Sequence, residues 1–265
     1  MLAATARRHE VAPMSVADDQ RADETPARRA AGGSSEKRRY VQAMFSDIAP
    51  RYDLLNHLLS FNVDRRWRRR AIRALGWERN PDGTYLDLCA GTLDVSVELA
   101  RQDGFGGRVV AADFAEPMLL AGQGKAAKTP VHPVAADALS LPLSDGSCAG
   151  GIVAFGVRNL ADLDAGLREV ARVLAPGARF VILEFTTPRS AIVRSGYHLY
   201  FHHVLPRVGG VISGNRDAYR YLPESVARFP AARELAERMR AAEFRDVSWR
   251  PLTLGIAAIH VGIRA

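Results

Sequence analysis

The sequence predicts an α/β fold: a doubly wound, seven-stranded, mostly parallel sheet with one antiparallel edge strand, preceded by a helical N-terminal segment and carrying a helical insertion before the last two strands. Three observations predict it. The runs "TYLDLC", "GRVVAAD", "VHPVAAD", "CAGGIVAF" and "GARFVILEF" are apolar almost throughout, as strands buried on both faces are. Helical patterns separate them, and crossovers of that kind join parallel strands. The last two runs, "DVSWRPL" and "GIAAIHVGIR", are separated only by a few residues around Thr253 and Gly255, too few for a parallel crossover, so they form an antiparallel hairpin at one edge.

Taken in order, residues 1–34 are rich in Ala, Arg, Asp, Glu and Ser without hydrophobic periodicity and read as a disordered extension. They hold no apolar core of a secretory signal, and Glu10, Asp18, Asp19, Asp23 and Glu24 argue against a transit peptide. From Ser35 the spacing becomes helical (Val41, Met44, Phe45, Ile48, then Leu54, Leu55, Leu58, Leu59), interrupted at Pro50 and Asn62. Asp64 reads as the N-cap of an arginine-rich helix, "DRRWRRRAIR". A helix through Leu99, then "AEPMLLAGQGK" and "DLDAGLREVARVL", supply crossovers, and the insertion runs from Glu184 to about Ala242. Residues 35–265 therefore form one domain, and a chain of 265 residues that is 48% hydrophobic can bury such a core.

Composition narrows the function classes. No apolar run approaches the roughly 18 residues that span a bilayer. Cys89 and Cys148 sit in strand-like runs and lack metal-ligand spacing, so neither a metal site nor a disulfide is expected and a reducing cytoplasm fits. The net charge of +7 is concentrated between Asp64 and Arg73, which suits nucleic acid, anionic lipid or a solvated helix face.

In an open α/β sheet the ligand lies at the carboxyl ends of the strands, where strand order reverses, and "YLDLCAGTLDVSVELA" lies there. A phosphate-cradling loop needs several glycines, but this one offers Gly91 alone between Asp87 and Asp94. Asp87 would repel a pyrophosphate and attract an α-ammonium group, while the turn Ala90-Gly91-Thr92 brings backbone N–H groups to the ligand. Asp113, ending the second run, can accept hydrogen bonds from two ribose hydroxyls, and Asp137 with Ala138 is placed to receive an adenine amino group. Each acid alone also reads as a cap or loop acid. Three at successive strand ends describe S-adenosylmethionine, a nucleoside with an aminobutyrate tail and a sulfonium, held by Asp87, Gly91, Thr92, Asp113, Asp137 and Ala138.

The segments "FSDIAPRYDLLNHLLSFNVDRRWR", "LDLCAGTLD", "FGVRNLADLDAGLREVARVLAPGARFVILEF", "YFHHVLPRVGGVISGNRDAYRYLPESV" and "GIAAIHVG" are similar to the quinone-biosynthesis C-methyltransferases, from about Tyr40 to the C-terminus. The resemblance implies a Rossmann-like class I methyltransferase that methylates demethylmenaquinol or the equivalent polyprenyl benzoquinol. This chain departs from the family at Ala90 and Leu93, where glycine is common, and at Ala154, where a small hydroxylic residue is common. A quinol carbon is nucleophilic only while its hydroxyl is losing a proton, so the site needs a base, or a cation and donors that stabilise the quinolate. Arg158 and Asn159 follow the fourth strand and suit the second role; Arg158 alternatively pairs with Asp162 or Asp164. From the N-terminal helices come Tyr52, Asp53, Asn56 and His57, and from the insertion Tyr197, His202, His203, Tyr219 and Tyr221. The catalytic set is taken as Arg158, Asn159, Tyr52 and His57.

A polyprenyl quinol resides in a membrane, and Leu54, Leu55, Leu58, Leu59 and Phe61 beside the arginines form an interfacial pattern, which points to peripheral contact with an anionic membrane at its inner face. The same leucines also suit an active-site lid. Nucleic acid is not expected as a partner, and a homodimer is left open. Two other readings stay open: a methyltransferase acting on another small molecule or on RNA, although no "NPPY"-like or paired-cysteine signature is present, and a non-catalytic cofactor-binding scaffold.

Overall fold

The computed structural model describes residues 35–53, 60, 62–188, 190–200 and 216–265. The extension 1–34 and Leu54, Leu55, Asn56, His57, Leu58, Leu59, Phe61, His202 and His203 lie outside them, as does the side chain of Tyr219. The N-terminal segment is a helix, α1 (Ser35–Ile48), a 3₁₀ turn (Ala49–Arg51) and a second helix, α2 (Val63–Leu75). Then β1 (Thr84–Leu88), α3 (Asp94–Ala100), β2 (Arg108–Asp113), α4 (Glu116–Ala126), β3 (Val131–Ala135), β4 (Cys148–Ala154), α5 (Leu163–Val173) and β5 (Leu174–Phe185) follow. The insertion supplies α6 (Ala191–Leu199), α7 (Arg216–Arg228) and α8 (Ala232–Ala241), and β6 (Phe244–Leu252) and β7 (Ala257–Arg264) close the chain.

The seven strands lie in the order β3-β2-β1-β4-β5-β7-β6. β1 pairs in parallel with β2 on one side and β4 on the other, so strand order reverses between β1 and β4. The closing hairpin is antiparallel and forms one edge of the sheet; its reversed strand β7 inserts between β5 and the outermost β6. Successive residues of β1 face opposite layers, as strand geometry requires. Leu86 and Leu88 pack with Leu167, Val170 and Met239 of α5 and α8. Tyr85 packs with Trp67, Ile72, Val95 and Leu99 of α2 and α3.

The arginine helix starts two residues earlier than its sequence suggests. Asn62, left-handed at φ 58°, is the N-cap, and Asp64 sits inside the first turn, accepting a hydrogen bond from Ser60 Oγ at 2.6 Å. The helix has one wet and one buried face: Trp67, Ala71, Ile72 and Leu75 are buried, while Arg65, Arg66, Arg69 and Arg70 are exposed. Trp67 Nε1 donates to Thr253 Oγ1 at 3.0 Å and so ties the first turns of α2 to the β6–β7 turn.

Leu93, where the related family often has glycine, is left-handed at φ 68° and fully buried. The conformation costs a non-glycine residue roughly 1–2 kcal/mol, and burying a leucine side chain returns about 1.5–3 kcal/mol, so burial wins. Room for it comes from Gly122 of α4, where an added Cβ would meet Thr92 O at 2.5 Å and Leu93 Cγ at 2.7 Å. Gly122→Ala should therefore push α4 off the loop below it. Overpacking of this kind costs about 1–3 kcal/mol, a fall of several degrees in a thermal melt, and an unchanged Tm would show that the helix retreats freely.

Candidate active site

The carboxyl ends of β1, β2, β3 and β4 surround a cleft open to solvent, with Asp113, Asp137, Ala138 and Asn159 in its wall. Asp113 is fixed by backbone donors: Gly91 N gives to Oδ2 and Ala115 N to Oδ1, each at 2.8 Å. Each oxygen keeps a second lone pair, which is what a ribose diol requires. Burial pushes its pKa up, and these amide bonds pull against that shift. Asp137 accepts from Leu139 N at 3.0 Å and pairs with Arg38 at 2.8 Å, beside the small side chain of Ala138. The acid set, the small Ala138 and the Gly91 turn (φ 54°) fit an adenosine.

Three expected cofactor residues, Asp87, Gly91 and Thr92, are not in the cleft wall. Asp87 lies beneath the turn, 1% exposed, and accepts from Ser96 Oγ at 2.5 Å. Burial lifts its pKa to about 7, opposed by the Ser96 bonds and the Arg68 charge. Thr92 is 3% exposed and its hydroxyl donates to Asp53 Oδ1. The tail side is thus roofed: Lys125 Nζ bridges Asp53 Oδ2 and Asp94 Oδ1, both at 2.6 Å, and Arg68 pairs with Asp94 and, at 3.5 Å, with Asp64. Burial pushes the Asp94 carboxyl up, but Arg68 and Lys125 more than reverse this and hold it below its ordinary value.

Helix α1 crosses the strand ends and is pinned at three of them. Lys37 Nζ donates to Arg158 O at 3.0 Å and Leu160 O at 2.8 Å, Arg38 pairs with Asp137, and Gln42 Nε2 donates to Phe114 O at 3.0 Å. Lys37 is 8% exposed, and burial, with the nearby Arg158 charge, lowers its pKa to about 8.

Arg158 follows β4 and is buried. Its partner is neither Asp162, which caps α5 by accepting from Ala165 N at 2.9 Å, nor Asp164, which pairs with Arg238 at 2.9 Å. Nη1 donates instead to Glu184 Oε1 at 2.8 Å and to Phe155 O, and the guanidinium carbon lies 5.6 Å from the centre of the Phe185 ring. Nε is buried without a partner among the described residues. Around this group stand the aromatic side chains of the insertion and of the N-terminal segment. Tyr221 OH donates to Asn159 Oδ1 at 3.2 Å, and burial holds the Tyr197 and Tyr221 phenols well above their ordinary pKa, against the Arg158 charge. Tyr52 packs edge-on to Phe45 at 5.9 Å, beside Gly91. Of the four catalytic candidates, the structure brings Arg158 and Asn159 together, sets Tyr52 over the cofactor turn, and does not describe His57.

Glu184, Lys37, Arg38 and Lys125 were not singled out from the sequence. Glu184 had a visible signal, a lone acid in the apolar run "FVILEF". The three cations had none, because exposed and buried cations look alike in a helical pattern.

Residues 33–264 match the ubiE/COQ5 methyltransferase family. The chain is 52% identical over 223 residues, 83% of its own length and 100% of the relative's, to a Thermus thermophilus protein named demethylmenaquinone methyltransferase. It is 45% identical over 232 residues, 86% of its own length and 90% of the relative's, to a Geobacter sulfurreducens protein named ubiquinone/menaquinone biosynthesis C-methyltransferase UbiE. Among solved structures, an S-adenosylmethionine-dependent methyltransferase from Thermotoga maritima is similar in fold, with a TM-score of 0.61 at 16% identity over 84% of this chain and 99% of that one.

The raised pKa of Asp87 has a measurable sign. Between its unfolded value near 4 and its folded value of about 7 the native state binds the extra proton, so Asp87 favours folding below pH 4 and that contribution is lost as pH rises through about 7. Denaturant titrations at pH 5 and pH 8 should show the wild type losing stability relative to Asp87→Asn as pH rises. A pH-independent difference would mean that Asp87 is ionised throughout.

Proposed function

The chain belongs to the ubiE/COQ5 methyltransferase family, and on that premise we propose that it methylates a ring carbon of a polyprenyl quinol, demethylmenaquinol or the equivalent benzoquinol, as one methyltransferase domain over residues 35–265. The chain is an S-adenosylmethionine-dependent methyltransferase, and the bound cofactor supplies an electrophilic methyl carbon on a sulfonium. Asp113 takes the ribose hydroxyls, Asp137 and Ala138 the adenine edge, and the amides around Gly91 and Thr92 the carboxylate of the tail. Asp87, one layer below, favours the tail's ammonium in its ionised form.

The observation that carries the acceptor side is the unsatisfied Arg158 Nε, buried between the cofactor cleft and the aromatic cluster. Because Nη1 is occupied by Glu184 and Phe155, Nε is the donor left for a ligand, with Nη2 beside it in the same plane. A planar pair of donors in a dry site stabilises a quinolate oxygen as it forms, and that raises the electron density at the neighbouring ring carbon. A guanidinium cannot accept the proton, so Arg158 makes ionisation of the ring hydroxyl easier while the proton leaves to water. Asn159, held by Tyr221, fixes the turn that carries Arg158. The roof of α1 and Tyr52 shields one side of the site, and the opening of the cleft leaves water to carry off the proton.

Arg158→Lys keeps the charge and removes the planar edge. Turnover on a short-chain demethylmenaquinol should fall more than tenfold, with cofactor affinity by calorimetry within a few-fold of wild type. Equal losses in both would assign Arg158 to the fold, and full activity on an RNA substrate would replace the quinol reading.

The enzyme meets its substrate as a cytoplasmic protein bound peripherally to the inner face of the membrane. No helix among the described residues is long and apolar enough to cross it. The first turns of α2 lie at the active-site end of the sheet beside the β6–β7 turn, where Leu254 is 76% exposed. Arg68 is used inside the fold and Arg69 pairs with Glu98 at 3.1 Å, whereas Arg65, Arg66 and Arg70 have no ion pair among the described residues. Replacing these last three with glutamine should reduce co-sedimentation with anionic vesicles, leave binding to neutral vesicles unchanged and spare activity on a water-soluble quinol. Unaltered sedimentation on anionic vesicles would rule this face out.

A further inference from the structure

We infer that Glu184 is a positioning residue of the methyl-transfer site, holding the Arg158 guanidinium in the pose that leaves its Nε donor available to substrate. The inference rests on the assignment of Arg158 to the quinol.

Glu184 is the penultimate residue of β5, opposite Ala258 of β7, and is fully buried. The carboxylate bonds to both ends of Arg158. Oε1 accepts from Nη1 at 2.8 Å, and Oε2 takes a longer contact from the Arg158 backbone N at 3.4 Å. Oε1 also accepts from Phe185 N at 2.8 Å, which ties the carboxylate to the strand that bears it. The remaining freedom of the guanidinium is limited by Phe155 O on the same Nη1 and by the Phe185 ring beneath it. From the other side, Lys37 of α1 holds the Arg158 carbonyl. Main chain and side chain are therefore fixed together, and Nε is the buried donor of Arg158 left without a partner among the described residues.

Stability alone does not account for this arrangement. A buried ion pair gains little or nothing over apolar residues of the same volume, because desolvation offsets the attraction. An arrangement that keeps such a pair and leaves one of its donors unsatisfied instead has the character of a pre-set binding edge. Glu184 does not itself act on the substrate: its oxygens face the N–H donors of Arg158 and Phe185.

The test is a double-mutant cycle on the full chain, with turnover of a short-chain demethylmenaquinol and cofactor affinity as separate readouts. Glu184→Gln should lower kcat at least tenfold with cofactor affinity within about threefold of wild type, since it frees the guanidinium without touching the cleft. In an Arg158→Gln background the same substitution should change kcat by less than about threefold, because there is no guanidinium left to place. Glu184→Asp keeps the charge, and with it the fold, but draws the carboxylate back by one methylene; it too should lower kcat while Tm stays near wild type. The inference is overturned if Glu184→Gln has the same effect with and without Arg158, or if Glu184→Asp turns over at the wild-type rate. An Arg158→Gln enzyme with full turnover would overturn the assignment of Arg158 along with it, whereas a slow Arg158→Gln enzyme with an undiminished Glu184 effect overturns the positioning role alone.

Discussion

A charge can be buried only together with its partner, and at the carboxyl end of this sheet that requirement draws together elements far apart in the chain. Glu184, next to the end of β5, meets Arg158 after β4; Lys37 comes from α1 to the carbonyls of Arg158 and Leu160; Asp113 ends β2 and takes the amide of Gly91 from the turn after β1. Remove any of these partners and the charge left behind is in the wrong dielectric. The N-terminal helix is consequently part of the site, seated by polar bonds to three strand ends as well as by the apolar contacts of Val41, Met44 and Ile48 with Tyr221.

A second network does for the tail side what the first does for the acceptor side. Asp53, Lys125, Asp94, Arg68 and Asp64 alternate in sign and join the end of the N-terminal segment to α4, α3 and α2 in turn. Alternation lowers the cost of each member, since every carboxylate has a cation beside it and the cations are kept apart by carboxylates. The roof over Gly91 and Thr92 is thereby held by charges that water would weaken, a reason for the apolar packing of Phe45 and Tyr52 just above.

Much of this site could be read in one dimension because parallel sheets bring strand ends together whatever their distance in sequence. Asp87, Asp113 and Asp137 each end or follow a β-run, so the topology places them at one rim before any contact is known. The depth of each acid was not readable. Asp113 and Asp137 stand in the cleft, while Asp87 and Thr92 are turned into the layer beneath and bonded to Ser96 and Asp53. Arg158 could be singled out as functional, but its counter-ion could not: sequence proximity favoured Asp162 and Asp164, whereas parallel pairing of β4 with β5 puts Glu184 alongside.

What the sequence by itself determined is whatever follows from periodicity and order along the chain: the seven strands, the edge hairpin, the helical insertion, the acidic strand ends and the arginine-rich helix α2. These features are local, and local geometry fixes them. Only the tertiary structure decided which cations serve the fold and which face water, that α1 closes over three strand ends, that Leu93 takes a glycine's conformation in the space left by Gly122, and that Glu184 carries Arg158. Each of those is a pairing between residues distant in sequence, chosen by burial and by the need to satisfy every charge taken out of water, and no pattern within a single segment contains it.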